Sequence, residues 1–219
     1  MDIFEAMHER HSVRKFTEKP LDQGAVTKLQ AEINNINARE KLNFQLLVDE
    51  PEAFQAGKPS YGAFSGCRNY LALIGPRGQE EKVGYWGERL VLMAQMLNIN
   101  SCWVALTYKK SKRQGTILPG EKAYPLIALG YGQTQGVPHK SKDITKISDY
   151  KSSDPAWYRK GLEAALLAPT SLNQQNFKFT RQGDKVVAKA GILPNSRLDL
   201  GIVKYHFELG SQRGPEVWG

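Results

Sequence analysis

Long hydrophobic runs are missing from this 219-residue chain, and no apolar stretch is long enough to cross a bilayer. The opening Met1-Asp2-Ile3-Phe4-Glu5 is acidic and amphipathic, unlike a secretory leader. Cysteine is scarce. Cys67 and Cys102 stand alone in sequence, which argues against a cysteine-built zinc site and leaves two free thiols in a reducing compartment as the expectation. The histidines His8, His11, His139 and His206 show no metal-ligand spacing. There is no Gly-x-Gly-x-x-Gly, no phosphate-binding Walker loop and no Gly-x-Ser-x-Gly, so three common catalytic frameworks lose support. A cytoplasmic protein with no membrane partner is expected.

What is plentiful is positive charge. The formal balance is +8, which favours anionic ligands, and nucleic acid is the first class to weigh. No run of five basic residues occurs, however, and no nucleic-acid partner is expected. The densest stretches are Tyr108-Lys109-Lys110-Ser111-Lys112-Arg113, which reads as a solvated loop, and His139-Lys140-Ser141-Lys142. The hydrophobic fraction of 41% is ordinary for a globular chain, and the length suffices for a real core.

Periodicity divides the chain into helices and strands. A short first helix runs from Asp2 to about Glu9. Val26, Leu29, Ile33 and Ile36 recur at helical spacing, so Asp22 to about Asn37 is a second helix. Asn43–Val48 and Asn69–Ile74 read as strands, with an irregular stretch from Pro51 to Gly66 between them. Gly87–Leu97 is apolar nearly all round, the mark of a buried helix. Ser101–Leu106 is loop or strand, and Tyr124–Tyr131 is a buried strand. Lys140–Ser153 is polar and reads as a surface linker. Asp154-Pro155 then opens a helix, with Asp154 as its cap, that runs to about Leu167. Phe177–Thr180 and Lys185–Ala190 are strands around Gln182-Gly183-Asp184, and a last helix covers Arg197 to about Ser211. Each half thus reads helix–strand–strand–helix, with Asn43-Phe44 and Asn176-Phe177 at matching strand starts. Either two such units are alike by chance or the chain carries an internal duplication.

Two segments carry the chemistry. Arg10-His11-Ser12-Val13-Arg14 offers two guanidinium forks, an imidazole and a hydroxyl within five residues, a donor set suited to phosphate or to a carbonyl beside a ring nitrogen. A basic helix end complementing the dipole would look the same. Ala168-Pro169-Thr170-Ser171-Leu172-Asn173-Gln174-Gln175 ends a helix in small polar residues. Its Asn173 amide suits the edge of a planar heterocycle such as an isoalloxazine, although an ordinary polar turn has the same composition. Leu129-Gly130-Tyr131-Gly132 feeds the basic Lys140 and Lys142 loop, which could add cations to a phosphate or simply be solvated. Asn100–Leu106 could expose backbone amides or be core.

Taken in order, these segments resemble the nitroreductase-like FMN-binding family. Arg10-His11-Ser12-Val13-Arg14-Lys15-Phe16 is similar to its N-terminal FMN motif, and Ala168–Phe177 to its Ala-Pro-Ser/Thr-x-x-Asn-x-Gln-Pro-Trp segment. Leu90–Leu97 with Ser101-Cys102-Trp103-Val104 resembles its central helix and flavin-facing loop. Tyr124–Gly132 resembles its late strand. Asn176 and Gly132 stand where the family has proline. The Ala-Pro-Thr segment also lies far downstream of the arginine motif, as in the branch with two half-units fused in one chain. The resemblance implies an α+β fold of two pseudo-repeated α/β halves, 1–150 and 151–219, that mimic the family dimer.

It also implies one FMN per chain, NADH or NADPH as electron donor, and a small-molecule acceptor such as a nitroarene or quinone. The expected flavin-binding residues are Arg10, His11, Ser12, Arg14, Ala105, Leu106, Gly130, Tyr131, Lys140, Lys142, Pro169, Thr170, Ser171 and Asn173. Arg14 is expected near flavin N1/O2, Arg10, Ser12 and the lysine loop at the phosphate, and the amides of Ala105 and Leu106 near N5. No side chain need act as a general acid, and the chain would be a monomer or homodimer. The alternative is a flavin-binding storage or sensor protein without turnover.

Overall fold

The computed structural model describes residues 1–54, 64–109 and 115–219. Most of the irregular stretch after Pro51, and the end of the basic loop at Lys110–Arg113, lie outside them. In chain order the elements are α1 (Ile3–Glu9), α2 (Gln23–Glu40), β1 (Gln45–Leu47), β2 (Asn69–Ala72), β3 (Ile74–Pro76), α3 (Glu80–Met96), β4 (Asn100–Val104) and β5 (Glu121–Ala123). They continue as β6 (Leu126–Gly130), α4 (Ile144–Ile147), α5 (Ala156–Ala165), β7 (Phe177–Gln182), β8 (Lys185–Ala190) and α6 (Ser196–Ser211). The chain divides into two compact units, one of residues 1–79 with 90–138 and the other of residues 80–89 with 139–219.

The first unit is built on an antiparallel sheet ordered β1-β2-β6-β4. Its central strands β2 and β6 are buried along their whole length, which is why both read as unbroken apolar runs. The apolar run at Asn69–Ile74 is two strands rather than one. β2 pairs with β6, whereas β3 leaves that sheet to pair with β5. Leu73 is the joint, and its carbonyl accepts from Tyr124 N at 2.8 Å. Hydrophobicity marks both strands alike and carries no record of a change of partner. α1 begins with a reciprocal cap between Asp2 and Glu5. α2 begins at Asp22, whose carboxylate accepts from Ala25 N at 3.0 Å, and buries Ala25, Leu29, Ile33 and Ile36. Asn37 then brackets Phe44 through both its N–H and its carbonyl, 2.8 Å each, fixing the turn into β1.

The second unit holds the start of α3, helices α4, α5 and α6, and the hairpin β7-β8, which turns at Gly183 with φ +64°. Three sequence expectations are corrected here. The central helix starts at Glu80, not Gly87, because its first turns carry charged residues that hide the helical stripe. The polar Lys140–Ser153 segment contains α4, capped by Asp143 and anchored by buried Ile147. The cap of α5 is Pro155, not Asp154. The Asp154 carboxylate instead accepts from Lys151 N at 2.7 Å and pairs with Arg181 at 3.0 Å.

Glycines set the closest helix approach in this unit. A Cβ at Gly84 would sit 2.0 Å from the Leu198 carbonyl oxygen, and one at Gly201 would sit 1.9 Å from that of Glu81. Gly161 likewise makes room for the Phe207 ring. Glycine is unfavourable inside a helix by about 1 kcal/mol, so its presence on both facing surfaces is a packing requirement. Beside this crossing the fully buried His206 and Glu88 meet at 2.9 Å, and Glu208 accepts from Tyr85 and from the Trp218 indole.

Candidate functional site

In the first unit, the segment after α1 is extended and stitched into the end of the sheet from two sides. Val13 N donates to Ser101 O at 3.0 Å, Phe16 N to Ser65 O at 2.9 Å, and Thr17 N to Tyr131 O at 2.8 Å. Val13 and Phe16 are thereby buried. Alternation along an extended chain then gives Arg10, Ser12 and Arg14 one common side. All three act on the thiol of Cys102 in β4: burial raises its pKa, while the Arg14 charge, a Ser12 hydrogen bond and the Arg10 charge pull it down. Arg10 is buried and Arg14 exposed, so one guanidinium is fixed in the wall and the other reaches solvent. His11 follows on the same segment, its Cβ so close to Gly136 that a methyl there would lie 2.8 Å away.

Gly130 and Tyr131 have local work in this unit. Gly130 admits the Phe16 ring, since a Cβ there would lie 2.7 Å from it. The Tyr131 hydroxyl accepts from Asp22 N at 3.2 Å at the start of α2, and Lys19 lies over its ring at 4.4 Å. Ala105 and Leu106 follow β4, and Leu106 is exposed. Both cysteines are free and buried, and burial pushes the Cys67 thiol up to about 12.

In the second unit, Pro169 and Thr170 lead into a 3-10 turn at Ser171–Asn173. Leu172, Asn173 and Gln175 all adopt positive φ, at +52°, +54° and +44°. Such conformations cost non-glycine residues free energy and persist only where the surroundings over-determine them. A hydrogen-bond belt does so. Gln175 N donates to Thr170 Oγ1 at 3.0 Å, and the side chains of Asn173 and Gln175 both donate to Lys140 O, at 2.8 and 2.9 Å. The Lys142 ammonium donates to Gln174 O and Gln175 O, at 2.7 and 3.1 Å, and its backbone N–H to Gln175 Oε1 at 2.8 Å. Lys140 and Lys142 thus bind the turn itself, and Lys140 remains exposed.

Sequence reasoning missed two members of this belt. Buried Asp199, in the first turn of α6, accepts from Ser171 N at 3.0 Å and from Ser171 Oγ at 3.2 Å, and burial pushes its carboxyl up to about 6. Ser196, also in that turn, receives the Asn176 amide at 3.2 Å. The only signal was an acidic residue in the first turn of a helix, which ordinary dipole compensation also produces. Among the described residues no cluster of His, Cys, Asp and Glu could hold a metal ion, and no helix is long and apolar enough to cross a membrane.

The mixed α and β architecture is that of a nitroreductase fold. Residues 2–211 match the family described as "Putative TM nitroreductase", and the chain belongs to that family of nitroreductase-type oxidoreductases. Solved structures agree on the fold. A "putative nitroreductase" of Thermotoga maritima is 24% identical with a TM-score of 0.69, over 96% of this chain and 83% of that one. A second, from Exiguobacterium sibiricum and in complex with FMN, is 14% identical with a TM-score of 0.52, over 69% of this chain and 98% of that one. A "NADH dehydrogenase/NAD(P)H nitroreductase" of Parabacteroides distasonis is 17% identical with a TM-score of 0.51, over 66% and 95%. None of the curated proteins compared with the chain matches it.

Proposed function

We propose that this protein binds one FMN and uses it to pass electrons from NADH or NADPH to a small electron-poor acceptor such as a nitroarene or quinone. The observation that carries the reading is the convergence of Arg10, Ser12 and Arg14 around Cys102 on one side of an extended segment. Two cations and a hydroxyl fit a ligand that bears a phosphate and a ring edge that gains negative charge on reduction. The relative in complex with FMN supports the same cofactor, and the printed name of another supports a nicotinamide donor.

Bound FMN supplies hydride acceptance at N5 and electron release to the acceptor. The protein's share is binding and electrostatics. Arg10 and Ser12 hold the phosphate, and Arg14 offsets charge at N1/O2. The Pro169–Asn173 turn would border the isoalloxazine edge, its side chains held in place by their bonds to Asp199, Lys140 and Gln175. The order α5-β7-β8-α6 has a counterpart in α2-β1-β2-β3-α3 that carries one more strand, and the helix–strand–helix sense common to both is the ground for reading 1–150 and 151–219 as a fused pair. The two buried thiols suit a reducing, cytoplasmic setting.

Flavin quantitation against protein concentration tests the proposal. One FMN per chain with NADH or NADPH oxidation is expected. Flavin binding without oxidation of either donor would favour a storage or sensor role, two FMN per chain would overturn the single site, and none after reconstitution would end the reading. Arg10→Ala and Asn173→Ala should each weaken FMN binding.

A further inference from the structure

The turn from Thr170 to Gln175 is held at both ends, and the two ends differ. Its later part is tied to the backbone around Lys140 by neutral amides and one ammonium. Its beginning is tied to α6 by a buried carboxylate: Asp199 takes both donors of Ser171, the backbone N–H and the hydroxyl. Three residues earlier on the same helical turn, Ser196 receives Asn176. Asn176 in turn shapes its surroundings, since its carbonyl accepts from Gly191 N at 2.8 Å and its side chain fills the space a Cβ at Gly191 would need. The first turn of α6 therefore grips the segment on both sides of its three left-handed residues.

Nothing about holding a surface turn requires a buried charge. A neutral acceptor such as asparagine could receive the same Ser171 N–H, and a buried carboxylate is costly to desolvate. What the carboxylate adds is a second oxygen: the Ser171 N–H goes to one and the hydroxyl to the other, and an amide has only one acceptor oxygen to give. The strain stored in Leu172, Asn173 and Gln175 supplies the matching need, since a turn in disfavoured conformations relaxes once one restraint goes.

We propose that Asp199, acting through Ser171, is a positioning residue that sets the Thr170–Asn173 turn in the conformation that receives the flavin edge. This rests on the FMN reading above. Asp199 itself touches no cofactor; through Ser171 it fixes the course of the turn.

The test uses the full chain in three variants. Asp199→Ala leaves both Ser171 donors without their acceptor. Asp199→Asn keeps an acceptor oxygen of the same reach for only one of the two Ser171 donors. Asp199→Glu keeps the charge but lengthens the arm. In the FMN-free protein, amide exchange at Ser171–Gln174 should speed at least tenfold in Asp199→Ala and by a smaller factor in Asp199→Asn, which holds one of the two donors. FMN affinity should follow the same order, with at least a tenfold loss in Asp199→Ala. In Asp199→Glu, a protein that keeps its thermal midpoint should bind FMN with an altered visible circular-dichroism band, a change that loss of stability alone would not give.

Where Asp199→Ala does not fold, the Asn and Glu variants decide. Wild-type affinity and flavin spectrum in Asp199→Glu would overturn the proposal, as would faster exchange in Asp199→Ala with unchanged FMN affinity. Both outcomes leave the FMN reading intact. Wild-type protein that binds no FMN overturns that reading instead, and this proposal with it.

Discussion

Gly201 lies so close to Glu81 that a methyl group on it would sit 1.9 Å from the Glu81 carbonyl oxygen. Gly84 meets the Leu198 carbonyl in the same way from the other helix. The obstacle in both cases is backbone, which cannot rotate aside as a side chain can. Gly201→Ala should therefore destabilise the protein by about 3 kcal/mol or more, at or beyond the upper end of ordinary overpacking. Gly78→Ala makes a useful contrast, because that glycine has open space around it and only its positive φ of +81° to resist substitution. Urea unfolding of the variants checks the order, and a stable Gly201→Ala protein would mean the two helices can slide apart at little cost.

Gly201 also shows how much the sequence reveals. The sequence places it inside the last helix, Arg197 to about Ser211. In the structure it lies inside α6, at a helix crossing that no periodicity announces. What was legible was local. Asp22 declared the start of α2, and Arg10-His11-Ser12-Val13-Arg14 declared a dense donor set, while its extended course and the common side of Arg10, Ser12 and Arg14 came from the structure. What was illegible depended on partners distant in the chain. Asp154 looked like a cap but pairs with Arg181, Lys142 looked like a phosphate ligand but binds the carbonyls of Gln174 and Gln175, and Asp199 gave no sign of Ser171.

Arg14→Ala tests the electrostatic part of the flavin site. The side chain is exposed, so its removal should leave the fold intact. A charge-assisted hydrogen bond is worth about 1.5–3 kcal/mol, so FMN affinity should fall roughly ten- to a hundredfold. The reduction potential of the bound flavin should fall as well, because negative charge at N1/O2 loses its counter-charge. Equilibrium titration and a dye-coupled redox titration measure the two effects. Wild-type values in both would make Arg14 an ordinary surface residue.

The His206–Glu88 contact at 2.9 Å is wholly buried, and neither group can turn to water. Glu88→Ala takes away the His206 Nε2 partner and should cost about 1–3 kcal/mol, the penalty for a buried polar group left without that hydrogen bond. Glu88→Gln keeps an oxygen facing His206 Nε2 and should cost clearly less. Denaturant melts of both variants decide the point. Equal losses would show that the volume of the side chain matters and its hydrogen bond does not.

Asp199 makes stability depend on pH in a direction opposite to most carboxylates. Burial raises its pKa from an ordinary 3.8 to about 6, with the two Ser171 hydrogen bonds pulling the other way. Between those values the folded protein holds a proton that the unfolded chain has released. Stability from this group is therefore greatest below about pH 4, falls as pH rises toward 6, and stays at the lower level above it. A shift of about 2 units corresponds to roughly 3 kcal/mol. Asp199→Asn removes the titration, so the difference in unfolding free energy between variant and wild type should change across pH 4–6 and be flat from pH 7 to 8. At pH 7.5 the variant should be at least as stable as wild type, because it hides no charge. A wild-type protein whose stability relative to Asp199→Asn does not vary across pH 4–6 would show that the carboxylate is hydrated after all, or that the two Ser171 hydrogen bonds offset its burial in full.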